Sequence, residues 1–197
     1  MQMRMQTRHR FNLVHDCQRM FRLMLAALSN PGRWLDFSDL AECFDSFGLW
    51  LPVALTLCDL ETHFALVGCS EDLSREISFL TGSRAVSLEE ADFVFVGHSS
   101  DPGSILQRVR YGSYQDPQKA ATVFGLTNPI QGGEELLSLS GPGIAGSHAS
   151  FSLPLEASRW MRSRASLGLE YPLGIDLFII DPKARLLGIP RTTKLGR

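Results

Sequence analysis

The sequence predicts an α/β fold: a layered α/β/α domain around a mixed central sheet. Helical and strand patterns interleave along the whole chain. One strand, Phe93 to Val96, is an uninterrupted apolar run of the kind covered on both faces. A hairpin late in the chain adds antiparallel pairing to an otherwise alternating order. With 197 residues, one domain with a sizeable core or two small ones can be built. Residues 1–11 read as a flexible basic tail and 12–197 as a single domain.

Asp16 is expected to cap the first helix, whose apolar positions Cys17, Met20, Phe21, Met24, Ala27 and Leu28 follow the helical spacing of one buried face. Asn30 precedes Pro31 and should end it. Arg33 to Phe37 alternates like a strand. Pro52 suits the first turn of a helix reaching Cys58, and Thr62 to Val67 is the next strand. Ser70 opens a helix with Glu71 and Asp72 in its first turn, where the dipole favours acids, and Gly82 closes it. Asp101-Pro102 starts another short helix. Ala121 to Leu126 reads as a strand, and Gln131 to Glu134 as a hairpin turn into Leu136 to Leu139. The stretch from Pro129 to Pro154 looks like an excursion from the main sheet. A helix from about Leu155 to Ala165 leads to two closing strands, Leu177 to Ile180 and Leu186 to Ile189.

Composition excludes several classes. The apolar fraction of 44% is ordinary for a globular chain, and no apolar run is long enough to span a bilayer. The N-terminus is basic but lacks the apolar segment of a secretory signal. Cys17, Cys43, Cys58 and Cys69 are irregularly spaced, which argues against a disulfide framework or a zinc site and for the cytoplasm. The net charge of −2 conceals an arginine-rich start, an acidic middle from Asp36 to Asp92 and a basic C-terminal half. That asymmetry fits docking to a partner of mixed charge or a merely solvated surface, and nothing demands nucleic acid.

Local motifs are mostly bland. Gly141 to Gly146 matches G-x-G-x-x-G, but a strand-like segment follows it, so a bend between strands is the better reading. Ser147-His148 lacks a nucleophile elbow. His9, His15, His63 and His98 show no metal-ligand spacing. Glu89, Glu90 and Asp92 read as a solvated acidic connection. Arg159, Arg162 and Arg164 suggest a solvated or subunit-facing helix, or an anion site. With Lys119, Lys183 and Lys194 the chain's lysines, few candidates exist for a Schiff base.

The C-terminal segment holds the sharpest candidates. Asp176 lies ahead of one apolar run, and Ile189-Pro190-Arg191-Thr192-Thr193 ends the other. A carboxylate among apolar residues needs a partner, and a guanidinium on the adjacent strand end suits it. On that reading Asp176 and Arg191 form a structural pair holding the strands in register. The alternative gives Arg191, Thr192 and Thr193 to a phosphate or phosphonate, with Asp176 orienting the arginine.

Five blocks, taken together, resemble a known family. They are Asp16-Cys17-Gln18-Arg19-Met20-Phe21-Arg22, Ser29-Asn30-Pro31-Gly32, Leu139-Ser140-Gly141-Pro142-Gly143-Ile144, Tyr171-Pro172-Leu173-Gly174-Ile175-Asp176 and Ile189-Pro190-Arg191-Thr192-Thr193. In this order they are similar to the PhnH family, one component of the bacterial carbon–phosphorus lyase system for phosphonate utilisation. The chain departs from it in residues 1–10 and from Ser99 to Lys119. The resemblance implies a non-autonomous subunit of the core complex that attaches the ribose triphosphate of ATP to an alkylphosphonate. It implies a fold similar to pyridoxal-phosphate-dependent transferases without the cofactor, a homodimer in isolation, sister lyase subunits as partners, and no membrane or nucleic acid. No catalytic residue carries across. A free-standing transferase and a phosphonate- or nucleotide-binding module are the alternative functions.

Overall fold

A seven-stranded mixed sheet runs through the centre of the molecule, with a three-stranded antiparallel sheet beside it. The computed structural model describes residues 10–98, 101–127, 133–146 and 149–196. In chain order the elements are α1 (His15–Ser29), β1 (Trp34–Asp36), α2 (Ser38–Ala41), α3 (Leu51–Leu57), β2 (His63–Val67), α4 (Glu71–Thr81), β3 (Arg84–Ala85) and β4 (Phe93–Val96). There follow α5 (Pro102–Leu106), β5 (Thr122–Leu126), β6 (Glu134–Ser140), β7 (Ala149–Pro154), α6 (Leu155–Ser166), β8 (Asp176–Ile180), β9 (Arg185–Ile189) and β10 (Lys194–Leu195). The main sheet has the order β1-β9-β8-β5-β4-β2-β3. From β3 to β8 all pairings are parallel, and β9 and β1 add antiparallel pairing at one edge. The second sheet is β10-β6-β7.

Side-chain alternation divides the core into two layers. Val94, Val96, Val123, Leu177 and Ile179 face α5, α6 and the small sheet. Phe95, Phe124 and Phe178 face α1, α3 and α4. These three phenylalanines are paired in register on adjacent strands. Phe95 and Phe124 stack with centroids 5.3 Å apart, and Phe124 and Phe178 with 4.9 Å. Each buried ring contributes roughly 2–3 kcal/mol by area, with about 1 kcal/mol more per favourable ring pair. The row ends at Gly188, which pairs with Phe178. A Cβ there would lie 2.6 Å from the Ala27 carbonyl carbon, so the missing side chain is what lets α1 lie against the sheet.

Most local signals act as their chemistry predicts. Ser70 Oγ accepts from Leu73 N–H at the start of α4, and Gly82 ends that helix with φ of 76°. Asp101 caps α5 by accepting from Ser104 N–H at 2.9 Å. Two expectations are corrected. Asp16 is not the cap of α1. Asn12 Oδ1 accepts from the Val14 and His15 N–H groups, while Asp16 Oδ2 accepts from Asn12 N–H at 2.8 Å. Asp16 is therefore the reciprocal member of a capping-box arrangement, because a first-turn carboxylate can reach back to the cap's own N–H.

The second correction concerns the late hairpin. Gln131 and Gly132 lie outside the described residues, and β6 pairs with β7 and β10 in the small sheet, not with β5. The hairpin connection is instead the glycine-rich stretch beginning at Gly141, as the strand-like segment after it implied. The excursion expected between Pro129 and Pro154 is this separate sheet in its described part. Ser147, His148, His9 and residues 1–9 of the basic tail fall outside the described residues. Phe11, at the edge of that tail, packs its ring 5.1 Å from Phe44.

Candidate functional site

The closing hairpin is fastened at both ends by an aspartate and an arginine. At the tight turn, Asp181 Oδ1 accepts from the Lys183 and Arg185 N–H groups, and Oδ2 accepts from Arg185 Nε at 2.7 Å. Arg185 also lies over the Trp34 ring, 5.4 Å from its centroid. At the open end, Asp176 Oδ1 accepts from Arg191 N–H at 2.8 Å. Asp176 Oδ2 accepts from Arg191 Nε at 3.1 Å and from Nη2 at 2.6 Å. The remaining terminal nitrogen, Nη1, donates to Pro117 O at 2.8 Å. One guanidinium thus joins β8, the end of β9 and the loop before β5. The structure brings Asp176 and Arg191 together as an ion pair. Asp181 with Arg185 was missed, although an aspartate four residues before an arginine across Pro182 was a readable signal.

Four of the five sequence blocks meet around this hairpin. The fifth, Asp16 to Arg22, lies on α1, whose later residues Ala27 and Leu28 are met by the Gly188 position of β9. A Cβ on Gly143, at φ of 83°, would sit 2.3 Å from Ser29 O, so the glycine bend rests on the turn that ends α1. Gly141 lies against the backbone of Thr192 and Thr193, and Gly174 against the Arg191 side chain. Gly141 and Gly143 thus have a packing purpose: they let three backbone segments approach where any side chain would separate them. Gly146, by contrast, meets nothing within 4 Å and has a positive φ of 75°.

Arg164, on the last turn of α6, completes the corner. Its Nη1 donates to Ile189 O and Pro190 O at 2.9 and 2.8 Å, and its Nη2 donates to Thr193 O at 2.6 Å. Ile189 is the last residue of β9 and Pro190 and Thr193 follow it, so the guanidinium satisfies main-chain acceptors where the strand ends. Desolvation pushes Arg164 down to about 10, with Asp176 acting in the opposite sense. It stays a cation at neutral pH. Sequence reasoning grouped Arg164 with Arg159 and Arg162; carbonyl partners leave no pattern in a sequence, so its separate role was invisible. Arg162 instead pairs with Glu135, and Arg159 stands 3.9 Å from Asp101.

Beside this corner opens a cavity of about 540 Å³. Its lining includes the polar residues Arg164, Arg191, Thr192, Thr193 and Lys194 and the apolar residues Leu169, Leu173, Ile175 and Leu195. Thr193 is buried, and its Oγ1 has no hydrogen-bond partner among the described residues. The structure therefore brings all four C-terminal candidates together, with Asp176 behind Arg191 and both threonines on the cavity wall.

Other candidate groups have ordinary tasks. Glu89 pairs with Arg108, and Asp92 with Arg110, so the acidic connection is tied to cations. Lys119, Lys183 and Lys194 are exposed, and Lys119 pairs with Asp116 at 2.9 Å. Cys58 is buried, and its thiol is pushed up to about 12 chiefly by desolvation, with smaller contributions from Asp59 and Asp92. Ligands of open α/β sheets usually sit at the carboxyl ends of the parallel strands. A cavity near those ends, lined by Gly97, Asp101, Leu126, Arg159 and Trp160, holds only about 140 Å³. The larger cavity lies at the opposite end, before β8. Among the described residues, no cluster of three or more His, Cys, Asp or Glu could hold a metal, and no helix is long and apolar enough to cross a membrane.

No curated relative matches the chain. A family model does, over residues 10–196, and its description is "Bacterial phosphonate metabolism protein (PhnH)". The matched span contains all five sequence blocks and the corner where four of them meet. The chain belongs to the PhnH family of bacterial phosphonate metabolism.

Proposed function

We propose that this protein is a non-autonomous subunit of the carbon–phosphorus lyase core complex. In that role it supports transfer of the ATP-derived ribose triphosphate to an alkylphosphonate, giving ribose 1-methylphosphonate 5-triphosphate. The reading includes a cytoplasmic setting, a homodimer in isolation, catalytic groups mainly on sister subunits, and a cofactor-free relative of the pyridoxal-phosphate transferase fold.

The family match over residues 10–196 is the observation that carries it. Two features support it. The hydrogen bonds of Asp176 and Arg191 are spent largely within the fold, which suits a supporting subunit better than an autonomous enzyme. Phe21, expected on the buried face of α1, is instead exposed, because Met20, Met24 and Ala27 fill that face. With Val14 and Leu25 it forms an apolar stripe of the kind that partners cover. Affinity purification of the tagged chain from phosphate-starved cells tests the proposal. Co-purification of the lyase subunits in fixed ratio is expected; recovery of the folded chain without them would overturn it.

A further inference from the structure

We propose that the cavity beside β8 and β10 binds a small organic anion with a tetrahedral head group, a phosphonate or a phosphate monoester. The inference goes beyond complex membership and does not depend on it. It begins with charge. Arg164 and Arg191 approach the same carboxylate, Asp176, which pairs directly with Arg191. Neither Arg164 nor Lys194 forms an ion pair among the described residues. Glu170 also lines the cavity, so its three cations, Arg164, Arg191 and Lys194, outnumber Glu170 and Asp176 together. The surplus is one positive charge in a partly desolvated recess, where a charge without a counter-ion is costly.

Donor accounting points the same way. A guanidinium carries five N–H bonds. Arg191 commits three, to Asp176 and Pro117, and Arg164 commits three to main-chain carbonyls. Each therefore keeps two N–H groups beyond its structural bonds. Lys194 adds an exposed ammonium, and the buried Thr193 hydroxyl lacks a partner among the described residues. A tetrahedral dianion offers several acceptors to such a set, whereas a planar carboxylate offers two oxygens on one side.

The apolar lining supplies the word organic. Leu169, Leu173, Ile175 and Leu195 line the same cavity and offer a short alkyl or ester group apolar surface. The volume of about 540 Å³ falls in the range of small-molecule sites, about 300–1,000 Å³.

Isothermal titration calorimetry of the full chain at low salt tests this, with methylphosphonate, inorganic phosphate, ATP and acetate as separate titrants. Saturable binding of methylphosphonate or phosphate, weakening as salt rises and exceeding acetate, is expected. If ATP binds more tightly than methylphosphonate, the anion is the phosphate of a nucleotide; the reverse order assigns the phosphonate. Lys194→Glu lies at an exposed position and should weaken binding about tenfold or more. Ala165→Phe keeps every charge and puts a ring at the cavity wall; it should abolish binding with the fold intact by circular dichroism. Absence of saturable heat with all four titrants would overturn the proposal. So would an unchanged affinity in Ala165→Phe, which would mean attraction to the surface and not to the cavity. Failure here would leave co-purification with the lyase subunits untouched, and the converse also holds.

Discussion

Replacing Arg191 by methionine removes the guanidinium while retaining the unbranched stem. The change deletes two charge-assisted bonds to Asp176 and one to Pro117 O, and leaves only the Arg191 backbone N–H on the carboxylate. The pair is mostly shielded, with side-chain exposures of 18% and 21%. Breaking a fully buried pair costs about 3–5 kcal/mol and an exposed one under about 1 kcal/mol. Discounted for partial solvent access, Arg191→Met should cost about 3 kcal/mol. For a chain of this size that lowers the melting temperature by about 6–12 °C. The double-mutant cycle with Asp176→Asn isolates the pair, and its coupling should be about 2 kcal/mol. Urea unfolding followed by circular dichroism measures it, provided the slope stays constant across the four proteins. A coupling under about 0.5 kcal/mol, the level at which separate sites simply add, would refute the claim that this pair fastens β8 to the end of β9.

Three further outcomes follow from the same geometry. Gly188→Ala would set a Cβ 2.6–2.8 Å from the backbone of Ala27 and Leu28; it should cost about 2–3 kcal/mol in urea unfolding, and a neutral result would mean that α1 does not rest on β9. Gly143 and Gly168 both have positive φ, but only Gly143 meets backbone within reach of a Cβ. Gly168→Ala should therefore lose about 1 kcal/mol and Gly143→Ala at least twice that; equal losses would remove the close-approach argument. Burial raises Cys58 from 9.0 to about 12, so the folded chain keeps that proton while the unfolded chain releases it. Stability should fall as pH rises through 9.0 toward 12, and Cys58→Ala should flatten that decline. An equal slope in the variant would sink the assignment.

Much of the layout was legible because its causes are local. Ser70, Gly82 and Asp101 act through bonds to residues a few positions away. The uninterrupted apolar run from Phe93 to Val96 encodes a strand covered on both faces without reference to any partner. Where two local solutions compete, the pattern misleads. Asn12 and Asp16 both suit a helix start, and only the fold of the first turn decides which of them caps and which reaches back. Gln131 to Glu134 carries turn residues, but the sheet in which β6 pairs is decided by β7 and β10.

The sequence by itself pointed to the α/β class and the family, and it left Asp176 and Arg191 as candidates for a structural pair or an anion site, since each reading rests on residue types in order. Tertiary structure decided the rest. It set Arg164 against carbonyls at and beyond the end of β9, gave Gly141 and Gly143 their close approaches, and gathered cationic and apolar side chains around one cavity. Such features depend on the distance between segments far apart in the chain. A carbonyl acceptor or a missing Cβ becomes informative only once its neighbour is known.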